Sequence, residues 1–144
     1  MSEQETEQEA LEAKARGVNL SVSRKHCVEI GRFIKGDSVE KAKNKLERVI
    51  DKELAVPYTK YNSDLAHRKG GKGPGRYPVN ASEEVLELLK SAEQNAIHDH
   101  GMAEDNLYIS EFYATQGSRF QTPRRHRGEK PKSAHVTIKL REKQ

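Results

Sequence analysis

The chain has 144 residues, 33% apolar and 33% charged, with a formal net charge of +4 and a pI near 9.1. That predicts one domain with a small core and excludes burial of most of its length. No apolar run approaches a membrane span, the N-terminus is acidic where a signal peptide would be basic, and the single Cys27 excludes an internal disulfide, so a reducing, cytoplasmic setting is expected.

Residues 1–16 carry Glu3, Glu5, Glu7, Glu9 and Glu12 and little to bury. They are expected to form a mobile acidic tail ahead of one domain spanning 17–144. Val18-Asn-Leu-Ser-Val22 alternates apolar with polar and predicts a short strand. Ser23 reads as an N-cap for a helix over Arg24–Lys35 closed by Gly36, with Cys27, Ile30 and Ile34 on one face. Arg24 and Lys25 sit in its first turn, where the helix dipole disfavours cations and nearby phosphate would favour them. Asp37 with Glu40 reads as a capping box opening a second helix to about Lys52. Its buried stripe is Val39, Ala42, Leu46, Val49 and Ile50, leaving Lys41, Lys43, Lys45 and Arg48 as solvated charges.

Residues 53–81 change character. Pro57, Pro74, Pro78 and several glycines are mixed with Lys60, Arg68, Lys69, Lys72 and Arg76. The stretch Arg68-Lys-Gly-Gly-Lys-Gly-Pro-Gly-Arg76 lacks the Gly-Lys-Ser/Thr of a nucleotide loop and follows no strand directly. A long cationic loop able to approach a sugar-phosphate chain is the reading kept. A third helix from Ser82 to Gly101, with Val85, Leu88, Leu89, Ala92, Ala96 and Ile97 on its apolar face, should cover the sheet.

Leu107–Thr115 and His135–Leu140 read as paired strands of a hairpin spanning 106–141. Between them Arg119, Arg124, Arg125, Arg127, Lys130 and Lys132 face one acid, Glu129. Buried and unpaired, such charges would each cost several kcal/mol, so this segment must meet water or an anion. If extended, each side of the tip would reach about 25 Å. A charge run is often only a solvated loop. Here the cations are mostly Arg, whose planar fork suits phosphate, and Phe120, Pro123 and Pro131 are interleaved with them. Helices on an antiparallel sheet make an α+β domain, and clustered cations with a pI near nine are the electrostatic footprint of a nucleic-acid binder.

Catalytic and metal chemistry find no support. His98 and His100 are two apart on a helix and do not share a face; His67, His26 and Cys27 complete no zinc pattern. Cys27 lies at core spacing, and no nucleophile sits in a recognisable context. No enzyme activity, cofactor or metal is expected.

The order of parts carries a resemblance: Ser23-Arg-Lys25, Ile34-Lys-Gly36, Leu89-Lys-Ser-Ala-Glu-Gln-Asn-Ala96, His100-Gly101, Asp105-Asn-Leu-Tyr-Ile109, an Arg-rich hairpin and His135-Val-Thr-Ile138. Over residues 18–142 the chain resembles the universal large-subunit ribosomal protein twenty-two family. Lys60-Tyr-Asn62 and Gly75-Arg-Tyr-Pro78 are similar to its archaeal and eukaryotic branch. The resemblance implies a non-enzymatic structural protein: a small antiparallel three-stranded sheet with three helices and a long extended basic hairpin near or lining the nascent-peptide exit tunnel. It implies large-subunit rRNA and neighbouring ribosomal proteins as partners, nascent peptide at the hairpin tip, and a monomer within the particle. It implies RNA contact by Arg24, Lys25, Lys60, Asn62, His67, Arg68, Arg76 and Tyr77, and by Arg119, Arg124, Arg125, Arg127 and Lys132; the charge pattern adds Lys69, Lys72, Phe120 and Lys130. The loop returning from Gly128 is shorter than the family's pattern, with Glu129 and Pro131 in place of more basic residues. A stand-alone RNA- or DNA-binding regulator using the same hairpin is the alternative.

Overall fold

The computed structural model describes residues 11–70, 73–123, 125 and 128–143. Among the described residues, nine strands and α-helices follow one another: β1 (Glu12–Leu20), α1 (Arg24–Ile34), α2 (Val39–Ile50), β2 (Val56–Pro57), β3 (His67–Arg68), β4 (Gly73–Arg76), α3 (Val79–His100), β5 (Leu107–Gln116) and β6 (Ala134–Glu142). The main sheet is antiparallel in the order β1-β6-β5, and the three helices make the domain α+β as expected.

β6 shows why the sheet holds. Ala134, Val136, Ile138 and Leu140 are buried, while His135, Thr137, Lys139 and Arg141 lie on the opposite face. Three inward residues meet small or apolar partners on both sides: Leu140 opposes Ala13 and Ile109, Ile138 opposes Ala15 and Phe112, and Val136 opposes Gly17 and Ala114. The β5 register slips between Ile109 and Glu111, so the inward set changes from Leu107 and Ile109 to Phe112 and Ala114. One extra residue in a bulge produces that switch, and the simple alternation of β5 therefore breaks at Ser110.

β1 begins at Glu12, inside the segment expected to be a tail, and Glu12 pairs with Arg141 and Lys139. Its buried residues are Ala13 and Ala15. Small side chains let α3 approach, and Asn95 Nδ2 donates to the Lys14 carbonyl at 3.0 Å.

The helices keep their predicted faces, and α1 its predicted start after Ser23, but the starts of α2 and α3 differ. α2 is capped by Ser38, whose hydroxyl accepts from the Lys41 amide at 3.3 Å. Asp37, expected to be the cap, instead binds Lys45 at 2.6 Å. The turn before α2 also pairs with β5: Gly36 N–H donates to Ile109 O, and Ile109 N–H to Asp37 O, both at 3.0 Å. α3 starts at Val79, a turn earlier than expected, so Ser82 is buried within it instead of capping it. Gly101 ends α3 with φ 61°, a left-handed conformation that glycine adopts without strain. α1 packs on β5 through Gly31, where an added Cβ would overlap the Phe112 ring.

One expectation needs correction. Residues 53–81 are not a structureless loop: β2, β4 and β3 form a second small antiparallel sheet there. The paired strands of the hairpin match the expected pair. β5–β6 pairing runs only to Gln116 opposite Ala134. Beyond it, Pro123 and Pro131 lack the N–H that a ladder needs.

Candidate nucleic-acid interface

The first turns of α1 organise the basic surface. Glu29 is fully buried, although it is a carboxylate. Its Oε2 accepts from the Thr59 amide, and its Oε1 from the amides of Lys60 and Tyr61, each at 3.0 Å. Three backbone donors converging on one carboxylate compensate its burial and fasten the turn of residues 59–61 to the helix. Arg32 adds a bond to Thr59 Oγ1 at 3.3 Å.

That clamp sets Tyr61 among cations. Arg24 donates to its hydroxyl at 3.2 Å, and the guanidinium lies 5.8 Å from the ring centre. Lys25 and Lys60 lie 5.3 and 5.4 Å from the same ring. The hydrogen bond from Arg24 holds the Tyr61 phenol below its ordinary pKa. Arg24, Lys25 and Lys60, distant in sequence, are thus brought to one aromatic ring. Beneath them His26 hydrogen-bonds the buried Tyr58. Burial, then Arg76 and Lys132, push the His26 imidazole below its ordinary pKa, while burial pushes the Tyr58 phenol well up.

The small sheet carries the other cations of 53–81. Arg68 Nε donates to the Gly75 carbonyl at 2.9 Å, and its guanidinium lies 5.1 Å from the Tyr77 ring. Gly75 is buried, and an added Cβ there would come within 3.2 Å of the Val56 carbonyl oxygen. Its missing side chain thus lets β4 lie against β2. Asn62, His67, Lys69 and Arg76 are exposed, and Tyr77 is half-buried. Lys72 lies outside the described residues.

At the hairpin, Gly117 N–H donates to Ser133 O at 2.9 Å. Ser118 N–H donates to Asn19 Oδ1 at 3.1 Å. Asn19 stands in a left-handed conformation, φ 52°, at the irregularity of β1. β1 therefore reaches across β6 to hold the root of the basic loop. Arg119, Phe120, Arg125, Lys130 and Lys132 are exposed, Phe120 at 69%. Arg124 and Arg127 lie outside the described residues. At the root, Arg119 and Lys132 face Arg24 and Lys25 across a cleft.

The sequence reading missed Glu29 and Tyr61. Glu29 had a signal: an acid between Cys27 and Ile30 on a face that turns inward. Tyr61 stood inside a quoted motif, but nothing local told that it would collect cations from α1. The candidate metal residues do not converge. His98 bonds Gln94 at 3.0 Å, and burial pushes the Cys27 thiol up to about 12. Among the described residues no group of three or more His, Cys, Asp or Glu is placed to hold a metal ion. No helix among them is long and apolar enough to cross a membrane.

The surface is shallow, cationic and built largely on backbone-pinned turns, which suits an extended anion more than an enclosed small substrate. The model of the family described as ribosomal protein L22p/L17e matches residues 15–141. The large ribosomal subunit protein uL22 of Nanoarchaeum equitans is 39% identical over 137 residues, covering 90% of this chain and 78% of the relative. That of Thermoplasma volcanium is 42% identical over 105 residues, covering 73% and 70%, and that of Archaeoglobus fulgidus 38% over 113 residues, covering 77% and 72%. With a match across nearly all of the α+β domain, the chain belongs to the ribosomal protein L22p/L17e family, a family of structural and not enzymatic proteins.

Proposed function

We propose that the protein is a structural constituent of the large ribosomal subunit in the cytoplasm, where it binds large-subunit rRNA. Three segments make the contact: the start of α1, the small sheet with its clamped turn, and the basic loop between β5 and β6. The observation that carries this reading is their convergence. Arg24, Lys25 and Lys60 share the Tyr61 ring, and Arg24 and Lys25 also face Arg119 and Lys132. Folded RNA presents dense phosphate and 2′-hydroxyl groups, and recognition of it is chiefly by shape and backbone contact. Arg forks at Arg24, Arg68, Arg76, Arg119 and Arg125 match that chemistry, with Arg124 and Arg127 joining them by sequence.

Lys69, Lys72, Lys130 and Lys132 add charge, and Asn62, His67 and Tyr77 add polar and aromatic contact. Phe120, the most exposed of the large apolar side chains among the described residues, is placed to stack on a base or line an apolar-tolerant wall. The loop lies near or along the nascent-peptide exit tunnel, with its tip open to nascent peptide. The protein is a monomer in the particle, beside neighbouring ribosomal proteins. Sedimentation of lysate tests this. The protein co-migrates with large subunits at moderate salt and is released at high salt; migration as a free protein at moderate salt would favour a stand-alone regulator instead.

A further inference from the structure

The cleft between the start of α1 and the root of the basic loop has two sides. One belongs to the packed domain: Ser23, Arg24 and Lys25. The other belongs to the loop: Gln116, Arg119, Lys132 and Ser133. Four of these seven side chains are cationic and none is acidic. Facing cations of this kind repel unless an anion lies between them. The helix end adds to the demand: Ser23 makes no side-chain cap bond, and α1 has no acid in its first turn. Its leading amides thus lack a side-chain cap and an acid in the first turn. Arg24 is held by the Tyr61 hydroxyl, so its fork is oriented before any ligand arrives. The cleft holds about 130 Å³. That is room for one tetrahedral anion with water beside it.

We propose that this cleft seats a single backbone phosphate of RNA, and that its occupancy fixes the direction in which the basic loop leaves the domain. The inference rests on the rRNA reading and deepens it. The ladder between β5 and β6 ends at Gln116, so the loop's bearing is set by few bonds: those of Asn19 and Ser133 on one side and, when phosphate is present, the cleft on the other. A phosphate bridging Arg24 and Lys25 to Arg119 and Lys132 ties the loop to α1. The RNA thereby orients the segment that binds it.

Amide spectra of the full chain, recorded as inorganic phosphate is added, test the seat, with chloride at matched ionic strength as control. Saturable shifts are expected at Ser23, Arg24, Lys25, Arg119, Lys132 and Ser133, with none at Arg125, and they vanish in Arg119→Gln/Lys132→Gln. Shifts equally produced by chloride, or no saturation, overturn the proposal. In binding to transcribed large-subunit rRNA, the same double variant weakens affinity about tenfold or more. If Arg125→Gln/Lys130→Gln weakens binding and the cleft variant does not, the phosphate seat is wrong and the rRNA reading stands. If the parent chain does not bind that rRNA, the rRNA reading itself fails. All four side chains are exposed, so unchanged thermal melting is the control for folding.

Discussion

Replacing Glu29 by Ala removes one side chain and strands three backbone donors. The Thr59, Lys60 and Tyr61 amides each lose an acceptor at 3.0 Å. Hydrogen bonds to charged groups contribute about 1.5–3 kcal/mol each, but losses within one network do not add. Water can reach Thr59 and Lys60, which are exposed, so full cost is not expected at every donor. A net loss of about 3 kcal/mol follows, comparable to other cases of a broken buried network. At a urea dependence of about 1.5 kcal/mol per molar, the midpoint would fall by about 2 M. Glu29→Gln keeps one acceptor oxygen but turns an NH₂ toward an N–H, so about half the loss is expected. The assay is urea unfolding joined to amide hydrogen exchange. Protection at Thr59, Lys60 and Tyr61 should fall selectively in both variants, and rRNA affinity with it, because Lys60 and Tyr61 leave their places beside Arg24. A midpoint shift below about 0.3 M, with those three amides still protected, would refute the clamp.

Gly31→Ala should destabilise by about 1–3 kcal/mol, because its methyl would overlap the Phe112 ring. Combining it with Phe112→Leu should recover part of that loss in thermal melts, whereas at an unrelated site the two losses would add. Arg124→Ala/Arg125→Ala/Arg127→Ala should leave the melting temperature unchanged, yet lower the salt slope of rRNA binding by about 2, at about 0.7–0.9 for each phosphate no longer neutralised; titrations at several salt concentrations check this. His26 has a folded-state pKa lowered from 6.5, first by burial and then by Arg76 and Lys132. Its neutral form is therefore favoured by folding. The stability it contributes is complete above 6.5 and is lost as pH falls through the lowered value. Unfolding midpoints from neutral to mildly acidic pH should decline less steeply in His26→Gln than in the parent.

Much of the fold was legible because local chemistry and tertiary packing agree. Cys27, Ile30 and Ile34 mark the buried face of α1, and Val85, Leu89, Ala92 and Ala96 that of α3, since helical spacing converts directly into one apolar stripe. The acidic start of β1 misled because an exposed strand edge needs little apolarity; Ala13 and Ala15 suffice when α3 lies close. The small sheet was hidden because β2 and β3 are two residues each, too short for any period, and are held by pairing with β4. Asp37 met the pattern of a cap, but Lys45 is a stronger partner for its carboxylate than a backbone amide. In the candidate interface, residue types pointed to the cations but not to their grouping. Arg24, Lys60 and Arg119 are far apart in sequence, and only the fold of α1 against two turns brings them together.

The account depends on the basic surface around the start of α1 being the side that faces rRNA. Crosslinking assembled large subunits and mapping the modified residues of this chain tests it most directly. RNA crosslinks are predicted at Lys25, Lys60, Arg76, Arg119 and Lys132, with none on the outward faces of α2 and α3 at Glu47, Glu83 and Glu87. Crosslinks confined to those outward faces, with the α1 surface unmodified, would contradict it.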